Sequence, residues 1–209
     1  MHLSDDEVEH IVRRTRRTYD QYAEEYVTTT GRLEQFPGLD RELDRFFDAL
    51  PSGLVLELGC GAGRDVEHLI RRGAAVIAGD LSERLLRVTR ARCATSAAVQ
   101  LNLLSLPFAA TTFAGVWACA SVLHVPRSRH VQAFLEMHRV LIPGGVVAIS
   151  LKEGDAEDWM HGGRLPSPRW FSLRTPDSVV SELESVGFRC TRVLPSGRGA
   201  WFVVEAVRA

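Results

Sequence analysis

Apolar positions recur along this chain with two different periods. Short apolar runs that fit β-strands, such as residues 54–58 and 113–119, alternate with stretches in which apolar residues recur every three or four positions, as on one face of a helix. Strands and helices that alternate in this way predict an α/β fold with a parallel sheet. Residues 113–119 are apolar at nearly every position, which is typical of a strand covered on both faces.

The same patterns give approximate bounds for the other elements. The first predicted helix covers residues 4–30, with Ser4 as its N-cap, and the second covers residues 40–50. Further helices are predicted over 64–72, after Ser82, after a cap at Ser128, and between Thr175-Pro176 and Gly187. The other predicted strands are 75–78, 98–101, 146–151, 188–194 and 200–207, and the last two flank the hairpin signal Pro-Ser-Gly-Arg-Gly.

Residues 152–174 follow neither period. They contain Gly154, Gly162, Gly163, Pro166 and Pro168. This composition predicts a long loop, and long structured loops are often functional. We expect one domain over residues 1–209, divided into an N-terminal helical lid (1–50), a core (51–151), the loop (152–174) and a C-terminal helix with a hairpin (175–209).

Composition narrows the class of protein. The chain has 209 residues, a length that suits a single domain, and a net charge of −1, whereas a dedicated nucleic-acid binder normally carries a basic excess. Its four cysteines are scattered without a C-x-x-C pair, and it has neither a run of 18 apolar residues nor an apolar targeting core near the N-terminus. We therefore expect a cytoplasmic protein, monomer or homodimer, with no membrane partner.

The most informative stretch is the turn after the first predicted strand. Gly59, Gly61 and Gly63 follow that strand at alternate positions, and a helical pattern begins at once. Glycine admits positive φ and a close approach of the backbone to a ligand, and a strand–turn–helix of this kind often holds a nucleotide. The spacing differs from the G-x-G-x-x-G turn that seats a pyrophosphate. Glu57 would also repel a pyrophosphate, but it would attract a cationic ligand.

These residues resemble a known family. Glu57-x-Gly59-x-Gly61-x-Gly63 is similar to the first motif of the class I S-adenosylmethionine (SAM)-dependent methyltransferases. The segment Tyr19 to Tyr26 resembles the Tyr-Asp-x-x-Ala-x-x-Tyr lid segment of many small-molecule methyltransferases. The resemblance covers residues 19–207. It implies a Rossmann-like methyltransferase fold, with a seven-stranded, mostly parallel sheet, an antiparallel C-terminal hairpin, and helices on both faces.

The resemblance also implies which residues hold SAM. They are Tyr19, Tyr26, Glu57, Gly59, Cys60, Gly61, Gly63, Asp80, Leu81, Asn102, Leu103 and Ala120. Asp80 lies 17 residues after Gly63 and would accept hydrogen bonds from both ribose hydroxyls. Asn102 stands where the family usually has Asp, so it keeps a carbonyl acceptor for the adenine amino group but loses the charge.

The acceptor side is less defined. His124 occupies a frequent histidine position of the family and is the candidate general base; a histidine that only packs is the alternative. Candidate acceptor-side residues are Tyr22, Lys152, Trp159, His161, Arg164, Arg169 and Trp170. The tryptophans could wall an apolar substrate, and the arginines could pair with a carboxylate or phosphate or remain solvated. No histidine has the paired spacing of a metal site, so no metal is expected.

The resemblance thus implies a SAM-dependent methyltransferase that acts on O or N of a small molecule and releases S-adenosylhomocysteine (SAH). Methyl transfer needs mainly proximity and orientation, because the sulfonium is already activated. Two alternatives stay open. Compact RNA methyltransferases of similar size exist, and a SAM-binding regulatory or scaffold subunit without catalysis is compatible with the departure at Asn102. The glycine spacing disfavours a nicotinamide or flavin dehydrogenase.

Overall fold

A computed structural model describes residues 3–161 and 164–209. Its strands are β1 (Leu54–Leu58), β2 (Ala75–Asp80), β3 (Ala97–Gln100), β4 (Phe113–Cys119), β5 (Leu141–Lys152), β6 (Glu157–Met160), β7 (Arg169–Ser172), β8 (Phe188–Pro195) and β9 (Trp201–Arg208). Seven of them form one sheet in the order β3-β2-β1-β4-β5-β9-β8, and β6 pairs with β7 separately.

The sheet is mostly parallel. Strands β1 to β5 pair in parallel, whereas β9 runs antiparallel to both β5 and β8. On one side of β1 the sheet continues through β2 to β3. On the other side β4 pairs with β1, so the strand order reverses at β1. Ligands bind at such a reversal of strand order, beyond the carboxyl ends of the strands. The predicted seven-stranded, Rossmann-like fold is confirmed.

Helices cover both faces of the sheet. In the described ranges they are α1 (Asp5–Gln21), α2 (Ala23–Thr30), α3 (Leu39–Asp48), α4 (Arg64–Arg71), α5 (Glu83–Arg92), α6 (His130–Val140) and α7 (Pro176–Ser185). One face buries Phe46, Val66 and Leu86 from α3, α4 and α5, and the other buries Phe134 and Leu183 from α6 and α7. Each such side chain contributes roughly 1.5–3 kcal/mol. Within these ranges, every helix is too short or too polar to cross a membrane.

Helix α1 is fixed at both its start and its apolar face. The Ser4 hydroxyl accepts from the Glu7 N–H at 3.3 Å, and the Glu7 carboxylate accepts from the Ser4 N–H at 2.7 Å, which forms a reciprocal cap. Val8 and Ile11 then pack against Trp170 of β7. The contact places α1 beside the small β6–β7 sheet, so the N-terminal helix and the segment after β5 form one unit.

The predicted helix over residues 4–30 is two helices. It breaks at Tyr22, whose φ of −111° and ψ of 34° lie outside the helical region. Neither Gly nor Pro marks this position in the sequence, so the pattern carried no signal for it. Tertiary contacts stabilise the different direction of α2, because the ring of Tyr26 on α2 packs against the glycine turn at Gly61.

Other bounds also differ from the prediction. β2 continues two residues beyond Ala78, and β5 begins at Leu141 instead of residue 146. Leu141 pairs with Phe113, and the extra length is absorbed by a register shift before Gly115. Ser128 does not cap α6; it lies in a single 3₁₀ turn, and the N-cap position is Arg129.

The predicted long loop contains structure of its own. Residues 157–160 and 169–172 form the antiparallel β6–β7 pair, in which Trp159 lies opposite Trp170 with ring centroids 5.6 Å apart. The aromatic cross-strand pair stabilises this small sheet. The sequence predicted a loop here because glycines and prolines interrupt the strand pattern. Gly162 and Gly163 of the predicted loop lie outside the described residues.

Candidate active site

Two adjoining cavities open at the carboxyl ends of β1, β2 and β4 in the described part of the chain. The β2 cavity is lined by Asp80, Leu81, Asn102 and Leu103 among others. The β7 cavity is lined by Glu57, Cys60, Arg64 and Arg169 among others. Residues that line both are Tyr19, Tyr26, Gly59, Gly61, Ala120 and His124. The glycine turn therefore lies where the two cavities meet.

The turn requires glycine for two reasons. Gly59 and Gly61 have φ of 79° and 54°, in the left-handed region that side chains disfavour. A Cβ on Gly59 would also lie 2.4 Å from Cβ of Ser121, and one on Gly61 would lie 3.1 Å from the ring of Tyr26. The backbone of the turn is thus packed directly against the end of β4 and against α2.

Asp80 ends β2 and is held in one orientation. Its Oδ2 accepts from the Gly61 N–H and its Oδ1 accepts from the Ser82 N–H, each at 2.8 Å. Burial raises the pKa of Asp80, and the backbone N–H groups that bind it partly offset the rise. Each carboxylate oxygen retains a lone pair, so a fixed acidic group lines the β2 cavity.

Glu57 lies on the opposite side of the turn, in the β7 cavity. It is 2% exposed, and its Oε2 has no hydrogen-bond partner among the described residues. Burial raises the pKa of Glu57 well above its ordinary value; the nearby Asp65 raises it further and Arg64 lowers it. Buried carboxylates without partners are costly, so this oxygen marks a place where a donor or cationic group fits.

Asn102 contributes less free acceptor capacity than its sequence position suggests. Its Oδ1 accepts from the Leu104 N–H at 3.0 Å, an Asx-type turn that fixes the side chain. One lone pair of Oδ1 and the amide donors remain available. Leu81, Leu101 and Leu103 supply apolar walls around it in the β2 cavity.

His124 and Tyr19 form one hydrogen-bonded chain. His124 Nδ1 lies 2.7 Å from the carbonyl oxygen of Trp170, which can only accept, so Nδ1 carries the proton. His124 Nε2 then accepts from the Tyr19 hydroxyl at 2.7 Å. Arg169 donates to the same hydroxyl at 3.1 Å. The chain fixes the histidine tautomer and the direction of the tyrosine proton.

Burial controls the protonation of both groups. It lowers the pKa of His124 to about 3, with a further contribution from the positive charge of Arg169. Burial also raises the pKa of Tyr19, and Arg169 partly offsets that rise. Both side chains are therefore neutral at physiological pH. This state disfavours His124 as a general base at neutral pH, which is the role that the sequence suggested.

The structure gathers most of the residues expected around SAM. All of them except Gly63 line one or both cavities. Gly63 lies at the N-cap of α4 with φ of 75°, where a Cβ would come within 3.2 Å of Thr89. Gly63 therefore has a structural role at the start of α4. Of the acceptor-side candidates, Lys152, His161, Arg164 and Arg169 line the β7 cavity.

Three acceptor-side expectations need correction, because Tyr22, Trp159 and Trp170 line neither cavity. The hydroxyl of Tyr22 lies 3.3 Å from Ser167 Oγ and 3.1 Å from Gln21 Nε2. Trp159 packs beneath the guanidinium of Arg14, 4.0 Å away. Trp170 is 5% exposed beneath α1, and only its carbonyl oxygen reaches the site, through His124. The tryptophans join α1 to the small sheet instead of walling a substrate.

The structure adds residues that sequence reasoning missed. Arg64 and Asp65 follow the glycine turn directly and form an ion pair at 2.6 Å, with Asp65 also accepting from Trp117 Nε1 at 3.0 Å. Because both residues come directly after the glycine motif, the sequence could have identified them as candidate site residues. Arg198, from the β8–β9 turn, pairs with Glu42 on α3 across a separation of 156 residues. No local pattern could have found it.

In residues 3–161 and 164–209, no three His, Cys, Asp or Glu side chains converge as metal ligands would.

Comparison with known sequences places the chain among methyltransferases. Residues 55–145 match the family model described as a methyltransferase domain. The chain is 37% identical over 103 residues to Methyltransferase GfsG of Streptomyces halstedii, covering 46% of this chain and 36% of that protein. It is 30% identical to the malonyl-[acyl-carrier protein] O-methyltransferase of Enterobacter lignolyticus, covering 68% of this chain and 60% of that protein. The matched region therefore spans less than two thirds of either relative.

Comparison with solved structures gives the same fold. The Burkholderia thailandensis 1,6-didemethyltoxoflavin-N1-methyltransferase, solved with its substrate and SAH, has a TM-score of 0.76 at 17% identity and covers all of this chain and 92% of that one. The [4+2]-cyclase SpnF has a TM-score of 0.75 at 15% identity, covering 95% of this chain and 96% of that one. At these identities the likeness concerns the fold alone, and one of the two neighbours is named as a cyclase.

Proposed function

The chain belongs to the class I SAM-dependent methyltransferases, and we propose that it transfers the methyl group of SAM to an oxygen or nitrogen atom of a small-molecule acceptor. One observation carries the proposal. Two carboxylates, the buried Glu57 and the half-buried Asp80, lie on either side of the glycine turn, and each lines a cavity and has unused acceptor capacity.

The side chains that line the two cavities suit the chemical groups of SAM. The partnerless Oε2 of Glu57 suits the ammonium group of the methionyl end, and the fixed carboxylate of Asp80 suits the two ribose hydroxyls. Apolar Leu81 and Leu103 beside the amide of Asn102 suit a purine ring. Gly59 and Gly61 line both cavities, so a ligand that occupies both would lie along the backbone of the turn.

When bound, SAM supplies an activated methyl group on a sulfonium. The task left to the protein is to orient the acceptor and exclude water. Tyr19 is placed for this, because it lines both cavities and its proton is directed to His124. Arg169 donates to one lone pair of the Tyr19 oxygen, so the other lone pair remains available to accept from an O–H or N–H group of an acceptor.

His124 acts through Tyr19 in this proposal. With a pKa of about 3, it holds the tyrosine hydroxyl and does not take up a proton at neutral pH. Tyr19→Phe and His124→Phe should both lower kcat, and the profile of kcat between pH 6 and 8 should lack the inflection that an unperturbed histidine would give. An inflection near pH 6.5 that vanishes in His124→Phe would instead establish a general base.

Three named relatives differ in the atom they methylate. The malonyl-[acyl-carrier protein] enzyme is an O-methyltransferase, a rice relative at 28% identity is a 24-methylenesterol C-methyltransferase, and the Burkholderia fold neighbour is named as an N1-methyltransferase. The net charge of −1 favours a small acceptor over a polynucleotide.

The first test is binding of SAH, measured by thermal shift and calorimetry. A ligand at 100 times its Kd adds about 2.7 kcal/mol to the unfolding free energy, so a clear rise in Tm is expected. NADH is the matched control and should leave Tm unchanged. If millimolar SAH neither raises Tm nor releases heat, the SAM site is refuted.

The second test concerns the acceptor. Labelled SAM is incubated with a panel of small hydroxy, carboxy and amino compounds and, separately, with total tRNA and rRNA. Label is expected in the small molecules. Label only in RNA would favour an RNA methyltransferase, and SAH binding without label in either pool would favour a SAM-binding subunit without catalysis.

A further inference from the structure

Arg169 is a buried cation without a counterion. It is 4% exposed, and no carboxylate lies within ion-pair distance of it in the described ranges. Among the residues that the structure describes, its Nε is buried without a hydrogen-bond partner, and its one side-chain hydrogen bond goes to the neutral hydroxyl of Tyr19. The equally buried Arg174 shows the usual arrangement, because it pairs with Glu182 at 2.5 Å. A buried charge is costly unless it is paired.

Aromatic rings do not remove the charge of Arg169. Tyr19 and Phe171 lie with ring centroids 5.4 and 5.2 Å from the guanidinium carbon, near enough for cation–π attraction. They give Nε no hydrogen-bond acceptor, so Nε stays buried and unpartnered among the described residues. A guanidinium can bind a planar carboxylate or a phosphate through two parallel hydrogen bonds.

The rest of the β7 cavity adds positive charge. Arg64, Arg198, Arg164 and Lys152 also line it. Burial lowers the pKa of Arg164, and the positive charges of Arg64, Arg169 and Arg198 lower it further. The arginines are thus near enough to repel one another, and an anion among them would relieve that repulsion.

The acids near this cavity are already engaged. Asp65 pairs with Arg64, and Glu42 pairs with Arg198 at 2.8 Å. Glu57 lies beside the glycine turn, where the proposed function assigns it to the donor. Arg169, Arg164 and Lys152 remain without a carboxylate partner within the described residues.

We propose that the β7 cavity binds a carboxylate or phosphate group, with Arg169 as its principal ligand, and that this group belongs to the methyl acceptor. The inference rests on the proposed function. It narrows the acceptor to small molecules that carry an anionic group and excludes cationic amines. The methionyl carboxylate of the donor has the same chemistry and is the competing source of the anion.

The test separates the two sources. Wild-type protein saturated with SAH is titrated with benzoate, phenyl phosphate and the neutral analogue benzamide, and each Kd is measured by calorimetry. We expect at least one anion to bind at least tenfold more tightly than benzamide. Arg169→Gln should abolish that preference while the Kd of SAH stays within about twofold, and Arg169→Lys should retain part of it.

Arg189→Gln is the matched control, because Arg189 is an exposed cation on β8 that lines neither cavity. It removes the same charge and should keep the preference for anions. Loss of SAH affinity by tenfold or more in Arg169→Gln would assign the anion to the donor and overturn the proposal, as would equal binding of anions and benzamide. Failure of SAH to bind wild-type protein is a separate result that refutes the proposed function.

Discussion

The two cavities are built by different means. In the β2 cavity, the two polar side chains assigned to the donor are held by hydrogen bonds over short separations in sequence: Asp80 is bound by N–H groups 19 and 2 residues away, and Asn102 by one 2 residues away. The β7 cavity is held by contacts over long separations, such as 156 residues between Glu42 and Arg198 and 150 between Tyr19 and Arg169. The donor side is therefore a local property of successive βα turns, and the acceptor side is a property of the whole chain.

The largest predicted effect is a loss of stability when one of the long-range contacts beside the β7 cavity is removed. Glu42→Ala leaves Arg198 without its carboxylate in a site where the two side chains are 4% and 8% exposed. Removing one partner of a buried pair costs about 3–5 kcal/mol of unfolding free energy, measurable by urea denaturation. The Kd of SAH for the folded fraction should change by less than about twofold, because Glu42 does not border the β2 cavity.

Asp48→Ala is the control for this prediction. It lies on the same helix and removes an exposed partner of Arg72, so it should cost less than about 1 kcal/mol. Equal costs for the two variants would contradict the view that buried long-range pairs hold the acceptor side together.

The contrast also explains what could be predicted from sequence. The alternation of strands and helices, the glycine turn and the position of Asp80 at the end of a strand follow from local patterns, because each βα unit carries its own turn residues. The break at Tyr22, the β6–β7 sheet and the position of Arg198 depend on tertiary contacts that leave no periodic signal. Trp159 and Trp170 looked like substrate walls because aromatic residues in a glycine-rich segment have no partner until the fold supplies one.

The second effect concerns the β2 cavity directly. Asp80→Ala should weaken SAH binding by about 1.5–3 kcal/mol, the scale of lost hydrogen bonds to a charged group, as measured by calorimetry. The preference of the β7 cavity for anions should survive in this variant. Glu83→Ala removes a nearby exposed carboxylate that lines neither cavity and should leave Kd unchanged. An unchanged Kd in Asp80→Ala would exclude Asp80 from the ribose role.

The third effect is that both the stability of the protein and its affinity for SAH should depend on pH through Glu57. Its pKa is raised in the folded protein, so the unligated native state holds a proton that the unfolded state has released. This contribution to stability is lost as pH rises towards the raised pKa. The ammonium group of SAH requires the ionised form, so SAH affinity should increase with pH over the same range.

The variant Glu57→Gln tests both the predicted loss of stability and the predicted gain of SAH affinity with increasing pH. The variant should bind SAH about tenfold more weakly at pH 8, corresponding to about 1.4 kcal/mol, and its affinity should no longer vary through the Glu57 titration. Its unligated form should be at least as stable as wild type above neutral pH, because a buried carboxylate without a partner has been removed. A less stable variant with unchanged SAH affinity would make Glu57 a structural residue.

The smallest effect tests recognition of the purine ring. Asn102→Asp restores a charged acceptor, and charge-assisted hydrogen bonds are roughly twice as strong as neutral ones. Because the Leu104 N–H already fixes this side chain, the second oxygen would be directed without further loss of freedom. We expect SAH affinity to increase by about twofold to fivefold. S-Inosylhomocysteine has a carbonyl in place of the amino group, so it should show no gain. An equal gain for both ligands would mean that the added charge acts on the cavity as a whole, and that the ring is recognised by its apolar walls and by the backbone at Leu103.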